Sequence, residues 1–235
     1  MENQETYITY DQFATDPVAN AQHYNNWAHK YDEMHTKAGF NDPYWLARVS
    51  LENLAQSNLL ASKDAKLIDF GCGTGRLGVE LKKQGYTNIA AVDGSTEMLT
   101  IANEKGCYNW TDALLIGCEP MIDELLYSEG ENGSGFDAAF ASAVMLPGHF
   151  PNTCFEEMLK VLRPGGYLIF SIRDVYFDPT TDEGCGFKPK IDELLAAGKM
   201  KLVSSTPYRK YQGLDLGPFM SENPASVKIY AKTEA

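Results

Sequence analysis

The run Leu67-Ile68-Asp69-Phe70-Gly71-Cys72-Gly73-Thr74-Gly75 constrains this chain more than any other stretch. A short apolar segment meets alternating glycines, and a helical pattern through Leu77 and Leu81 follows, stopped near Gly85. That order reads as strand, tight turn and helix. Glycines let the main chain turn sharply and approach a ligand without a Cβ clash, and the helix beyond presents free amide groups.

Further elements repeat the alternation. Strands are expected at Asn88 to Val92, Ala113 to Ile116, Phe136 to Ala141 and Tyr167 to Ile172. Ser95 caps a helix through Met98, Leu99 and Ala102 to Gly106. Asn152 starts another, with Phe155, Met158, Leu159 and Leu162 inward and Pro164-Gly165-Gly166 closing it. Strands alternating with helices imply an α/β fold, a doubly wound and mostly parallel sheet. The tail breaks the pattern: after a short helix around Ile191 to Ala197, Leu202 to Tyr211 and Val227 to Ala231 read as an antiparallel C-terminal hairpin. Upstream, residues 1 to 15 lack periodicity and read as a loose leader. A helix from Asp16 to Met34 places Tyr24, Trp27 and Tyr31 on one face, and Asp42-Pro43 caps a second helix. With 235 residues and 44% hydrophobic content, the expected organisation is one domain over 16–235, capped by helices at about 16–60.

A loop of this kind can hold a nucleotide phosphate or the amino-acid part of S-adenosylmethionine. Gly73-Thr74-Gly75-Arg76-Leu77-Gly78 also spells the dinucleotide fingerprint. Against that, the fingerprint starts late relative to the strand, and little chain remains for a substrate domain. The carboxylate of Asp69 would repel a pyrophosphate but suits a ligand that ends in an ammonium. A phosphate-binding P-loop is excluded because no Gly-Lys-Ser/Thr follows. Asp93, ending the second strand, can accept both ribose hydroxyls, a feature that nicotinamide sites share. Met98 either lies against adenine or packs in the core. Cys118 and Glu119 either read the adenine edge or sit in an exposed loop.

Taken together, the glycine loop, Val92-Asp93-Gly94-Ser95, Phe136-Asp137-Ala138-Ala139 and Leu162-Arg163-Pro164-Gly165-Gly166-Tyr167-Leu168 resemble the class I S-adenosylmethionine-dependent methyltransferases. Tyr24-Asn25-Asn26-Trp27-Ala28-His29-Lys30-Tyr31-Asp32, Gly106-Cys107-Tyr108 and Arg173 with Tyr176 resemble, more closely, the methyltransferase-like proteins of the Williams–Beuren syndrome critical region. The resemblance implies a seven-stranded Rossmann-like sheet and S-adenosyl-L-methionine as cofactor. Asp69, Gly71, Cys72, Gly73, Thr74 and Gly75 would hold its methionine part and Asp93 its ribose. Ser95 and Met98 would border the adenine, with Gly94, Cys118, Glu119 and Ala141 nearby. Trp27 and Tyr31 would cover it.

Methyl transfer from a sulfonium is an in-line displacement that mostly needs alignment and exclusion of water. No catalytic residue is forced, and the candidates are His149, Tyr31 and Arg173. The sequence after the fourth strand, Ala141-Ser142-Ala143-Val144, lacks the Asn/Asp-Pro-Pro-aromatic run of adenine amino methylation. Cys154 follows Thr153 rather than a proline, against pyrimidine carbon-5 methylation. A net charge of −12 also argues against gripping a nucleic-acid backbone, although Lys188, Lys190, Lys199, Lys201, Arg209 and Lys210 gather late in the chain as a solvated face. The acceptor is then a small molecule or a protein side chain. The rival readings are a protein that binds the cofactor without transferring from it, and a nicotinamide-dependent oxidoreductase. Neither a metal site nor a disulfide framework is expected of Cys72, Cys107, Cys118, Cys154 and Cys185; free thiols point to the cytoplasm.

Overall fold

The computed structural model describes residues 16–55, 58–118, 135–211 and 224–233; Glu119 and the leader lie outside them. Helices α1 (Pro17–Lys37) and α2 (Asp42–Leu54) and the short α3 (Asn58–Ala61) precede strand β1 (Leu67–Phe70). Then come α4 (Arg76–Lys83), β2 (Ile89–Asp93), α5 (Thr96–Glu104), β3 (Trp110–Ala113) and β4 (Phe136–Met145). The chain continues through α6 (Cys154–Val161), β5 (Leu162–Arg173), α7 (Asp174–Phe177), α8 (Phe187–Ala196), β6 (Met200–Tyr208) and β7 (Ala225–Lys232).

The seven strands form one sheet in the order β3-β2-β1-β4-β5-β7-β6. β1 to β5 pair in parallel, and β7 enters antiparallel between β5 and β6. The mostly parallel sheet with an antiparallel hairpin is therefore the observed fold. Successive side chains of a strand point to opposite faces, and the core divides accordingly. Ile68, Phe70, Ala139, Leu168 and Phe170 join one apolar cluster with Phe155 and Phe187. Leu67, Ala138, Phe140 and Ile169 join another with Leu46, Leu77, Leu81 and Tyr86. Both faces being covered explains why β1 is buried along its whole length and reads as continuous apolar sequence.

Three expectations change. β3 lies earlier than the apolar run Ala113 to Ile116, because it is an exposed edge strand; Leu114 and Ile116 instead turn inward after it ends. β5 starts at Leu162, so Pro164-Gly165-Gly166 forms an irregularity inside a long strand rather than a helix stop. Asp42 does not cap α2, which starts after Asn41. Its carboxylate, 1% exposed, turns away to Lys210 Nζ at 3.3 Å and to the Ser171 hydroxyl at 3.2 Å. Lys210 is thereby removed from the solvated basic face assigned to it.

Strand order reverses between β1 and β4, which opens a crevice beyond their carboxyl ends, the position where open α/β sheets bind ligands. The glycine loop lies on one side of it and the end of β4 on the other. There Ala143 holds a left-handed φ of 58°, with its N–H donating to Ser171 Oγ at 2.8 Å.

Candidate functional site

The site begins with Asp69, whose side chain is fully buried at the end of β1. Its Oδ2 accepts a hydrogen bond of 2.6 Å from the Tyr108 hydroxyl, while Oδ1 has no partner. Burial, with a smaller push from the charge of Asp93, raises the carboxyl to about 7. The loop beyond it fits around open space. Gly71 has φ +69°, and a Cβ there would stand 2.6 Å from Val144 Cγ1 and 3.0 Å from Phe150 Cζ. Only glycine lets the loop approach those side chains so closely.

Asp93 organises the opposite wall. Its Oδ2 accepts from Gly73 N–H at 2.7 Å and its Oδ1 from Ser95 N–H at 2.8 Å. Burial raises its pKa, and these two amide donors oppose the rise. Ser95 caps α5 as expected, accepting from Met98 N–H at 3.1 Å. Its hydroxyl, however, donates to Asn25 Oδ1 at 2.7 Å, so it faces α1.

Helix α1 lies over the crevice and is fastened at three levels. Asn20 donates to the Gly148 carbonyl, Asn25 meets Ser95, and Asp32 accepts from Thr74 Oγ1 at 2.6 Å and Lys105 Nζ at 2.5 Å, with Arg76 at 3.7 Å. Burial raises the Asp32 carboxyl, but the bonds from Lys105 and Thr74 outweigh it and hold the group below its usual range. The carboxylate remains 38% exposed, so its contribution to global stability is small. We expect Asp32→Ala to shift Tm by less than about 2 °C. In hydrogen exchange, its α1 amides should exchange roughly ten times faster because the helix opens locally. Unchanged exchange in α1 would show that the helix is held elsewhere.

Between α1 and the end of β4, the Tyr24 hydroxyl meets His149 Nε2 at 2.8 Å. His149 Nδ1 lies 3.1 Å from the Pro147 carbonyl, which can only accept; Nδ1 therefore carries the proton and Nε2 accepts from Tyr24. Burial lowers the imidazole to about 4, keeping it neutral. Tyr31 stacks on His35 at 3.9 Å, and burial raises its phenol.

These walls line a crevice that is partly open to solvent. Of the residues singled out by sequence, Tyr31, Asp69, Gly71, Cys72, Gly73, Thr74, Asp93, Gly94, Met98 and His149 line it. Several others do not. Trp27 packs on Tyr31 and His35, Gly75 starts α4, and Ala141 is buried in the core beside its lining neighbours Ser142 and Val144. Cys118 is exposed, and Arg173, 4% exposed, lies over the Tyr176 ring at 5.4 Å. Asp174, next in the chain, accepts from the Ser226 hydroxyl at 2.9 Å. Tyr24, Asn20, Ser142, Phe150 and Leu114 to Ile116 line the cavity although none was named as a site residue from sequence.

Residues 61–182, just over half of the sequence, match the family described as methyltransferase domain. The chain belongs to the methyltransferase-domain family. Among curated relatives, this family member is 29% identical over 150 residues to methyltransferase-like protein 27 of Homo sapiens, matching 64% of this chain and 56% of that protein. It is 26% identical over 155 residues to a putative methyltransferase of Geobacillus, matching 65% and 58% respectively. The chain thus spans somewhat more than half the length of these relatives. An S-adenosylmethionine-dependent methyltransferase from Clostridium acetobutylicum shares the fold, with TM-score 0.58 at 17% identity over 90% of this chain and 99% of that one. A cyclase does too, with TM-score 0.61 at 16% identity over 95% and 99%. The methyltransferase-domain fold is therefore compatible with more than one reaction.

Proposed function

We propose that this protein binds S-adenosylmethionine in the crevice and transfers its methyl group to a small molecule or protein side chain. One observation carries the reading: a fully buried carboxylate, Asp69, lines a glycine-walled cavity with Oδ1 unpartnered. A buried charge of that kind needs a cation, and the cofactor's ammonium supplies one. Asp93 would take the ribose hydroxyls with acceptor capacity left over from its two amide bonds. Met98 and Leu114 to Ile116 offer apolar surface for the adenine.

When bound, the cofactor supplies a methyl group on a positively charged sulfur with a neutral thioether as leaving group. The chain's own task is to align the acceptor and keep water out. Val144 and Phe150, set against the glycine loop, provide the apolar wall. Tyr24, its hydroxyl held on His149 Nε2 at the cavity wall, would be the residue placed to meet the proton of an acceptor that arrives protonated. Cysteines present as thiols rather than disulfides support a cytoplasmic location, and no helix among the described residues is long and apolar enough to cross a membrane.

Calorimetry with S-adenosylhomocysteine and NAD side by side tests the binding. Micromolar affinity for the first and none for the second is expected; the reverse would overturn the reading in favour of an oxidoreductase. Transfer of labelled methyl groups to separated small-molecule, protein and RNA fractions then tells a transferase from a protein that binds the cofactor without using it.

A further inference from the structure

We infer that Tyr108, in the connection between α5 and β3, is a positioning residue for the cofactor's ammonium group. Its hydroxyl fixes the Asp69 carboxylate so that only Oδ1 is left for a ligand. The inference rests on the proposed reading of the crevice, but the contacts that carry it belong to the protein alone.

Tyr108 is built into the back of the glycine loop. Its hydroxyl donates to Asp69 Oδ2 at 2.6 Å and accepts from Gly78 N–H at 3.2 Å. Its ring occupies the space that a side chain at residue 78 would need: a Cβ on Gly78 would lie 2.5 Å from two ring carbons and 2.7 Å from the hydroxyl. A Cβ on Gly75 would come within 3.2 Å of the same ring. The last glycine of the apparent dinucleotide fingerprint therefore serves as a slot for this tyrosine.

The consequence is electrostatic. Asp69 is buried, and the titratable groups that act on it or respond to it are Asp93 on β2, Cys72 on the loop, and Cys107 and Tyr108 behind it. None of these is a cation. Among them the Tyr108 hydroxyl is the group that favours the ionised carboxylate, since a hydrogen bond donated to the charged form lowers a pKa. Without it, Asp69 holds its proton to higher pH and offers the ammonium a neutral partner.

Tyr108→Phe keeps the ring and removes that bond. In ligand-free protein, the Asp69 carboxyl followed by carbon-13 NMR should titrate near 7 in the wild type and about one unit higher in the variant. S-adenosylhomocysteine should bind the variant roughly five- to tenfold more weakly at pH 6.5, with less than about a twofold difference at pH 8.5, where both carboxyls are largely ionised. Gly78→Ala, which displaces the ring, should move the titration in the same direction. An unmoved carboxyl midpoint, or a loss of affinity equal at both pH values, would overturn the inference while the wild type still binds. Should the wild type fail to bind at any pH although the carboxyl midpoint moves, it is the proposed function that falls.

Discussion

Asp69→Asn is expected to give a more stable protein that holds S-adenosylhomocysteine far more weakly. The native carboxyl titrates near 7 against an ordinary value of 3.8, so above neutral pH the fold carries a buried charge that the unfolded chain keeps in water. That difference sets an upper bound of about 4 kcal/mol on the cost. The amide of Asn can still accept from Tyr108, but its NH2 would be left without a partner, returning roughly 1–3 kcal/mol. A net gain of about 2 kcal/mol remains, raising Tm by roughly 5 °C for a chain of this size. The sign fixes the pH window. Below about pH 4 the carboxyl is neutral both folded and unfolded, and Asn has no electrostatic advantage. The advantage grows between about pH 4 and 7 and is constant above. Binding should weaken roughly 30-fold, about 2 kcal/mol, because the ammonium loses a charged acceptor. Scanning calorimetry at pH 4.5 and pH 8, with a binding titration at pH 8, checks both halves. An Asn variant less stable than wild type at pH 8 would mean that Asp69 is not the strained group described here.

Such a trade of stability for binding is ordinary at functional sites, and it explains which parts of the site could be read from sequence. The glycine loop, the carboxylates ending β1 and β2 and the cap at Ser95 are local: strand, turn and first helical turn follow one another within a few residues. Their positions were legible because the backbone dictates the residue types. The contacts that shape the loop's surroundings are not local. Tyr108 reaches Asp69, Asp32 reaches Thr74, and Tyr24 reaches His149 only after the sheet has brought distant segments together. No periodicity marks such residues, and Tyr108 stood out only within a resemblance that gave it no role.

The misplacements have equally physical origins. The apolar run Leu114-Leu115-Ile116 resembles a strand because its side chains are sheltered, yet what they shelter against is the cavity rather than a sheet face. Asp42 stands where a cap belongs, but a buried lysine and serine compete for its carboxylate and win.

The same distinction between local and assembled contacts sets the result expected at Asp93. Asp93→Ala should weaken S-adenosylhomocysteine at least tenfold, a loss of about 1.4 kcal/mol. Removing the carboxylate takes away the acceptor for the ribose and also the partner of the Gly73 and Ser95 amides, which set the shape of the loop and the start of α5. Asp93→Asn separates these roles. Its single oxygen can serve only one of the two amides, and its NH2 must face the other, donor against donor. If Asp93 acted only as a partner for ribose hydroxyls, Asn would restore most of the affinity, because an amide can still exchange hydrogen bonds with a hydroxyl. Because both oxygens are already engaged by main-chain donors, Asn should bind nearly as weakly as Ala. Affinity within about twofold of wild type for Asn, alongside a tenfold loss for Ala, would show that the loop keeps its shape without this carboxylate.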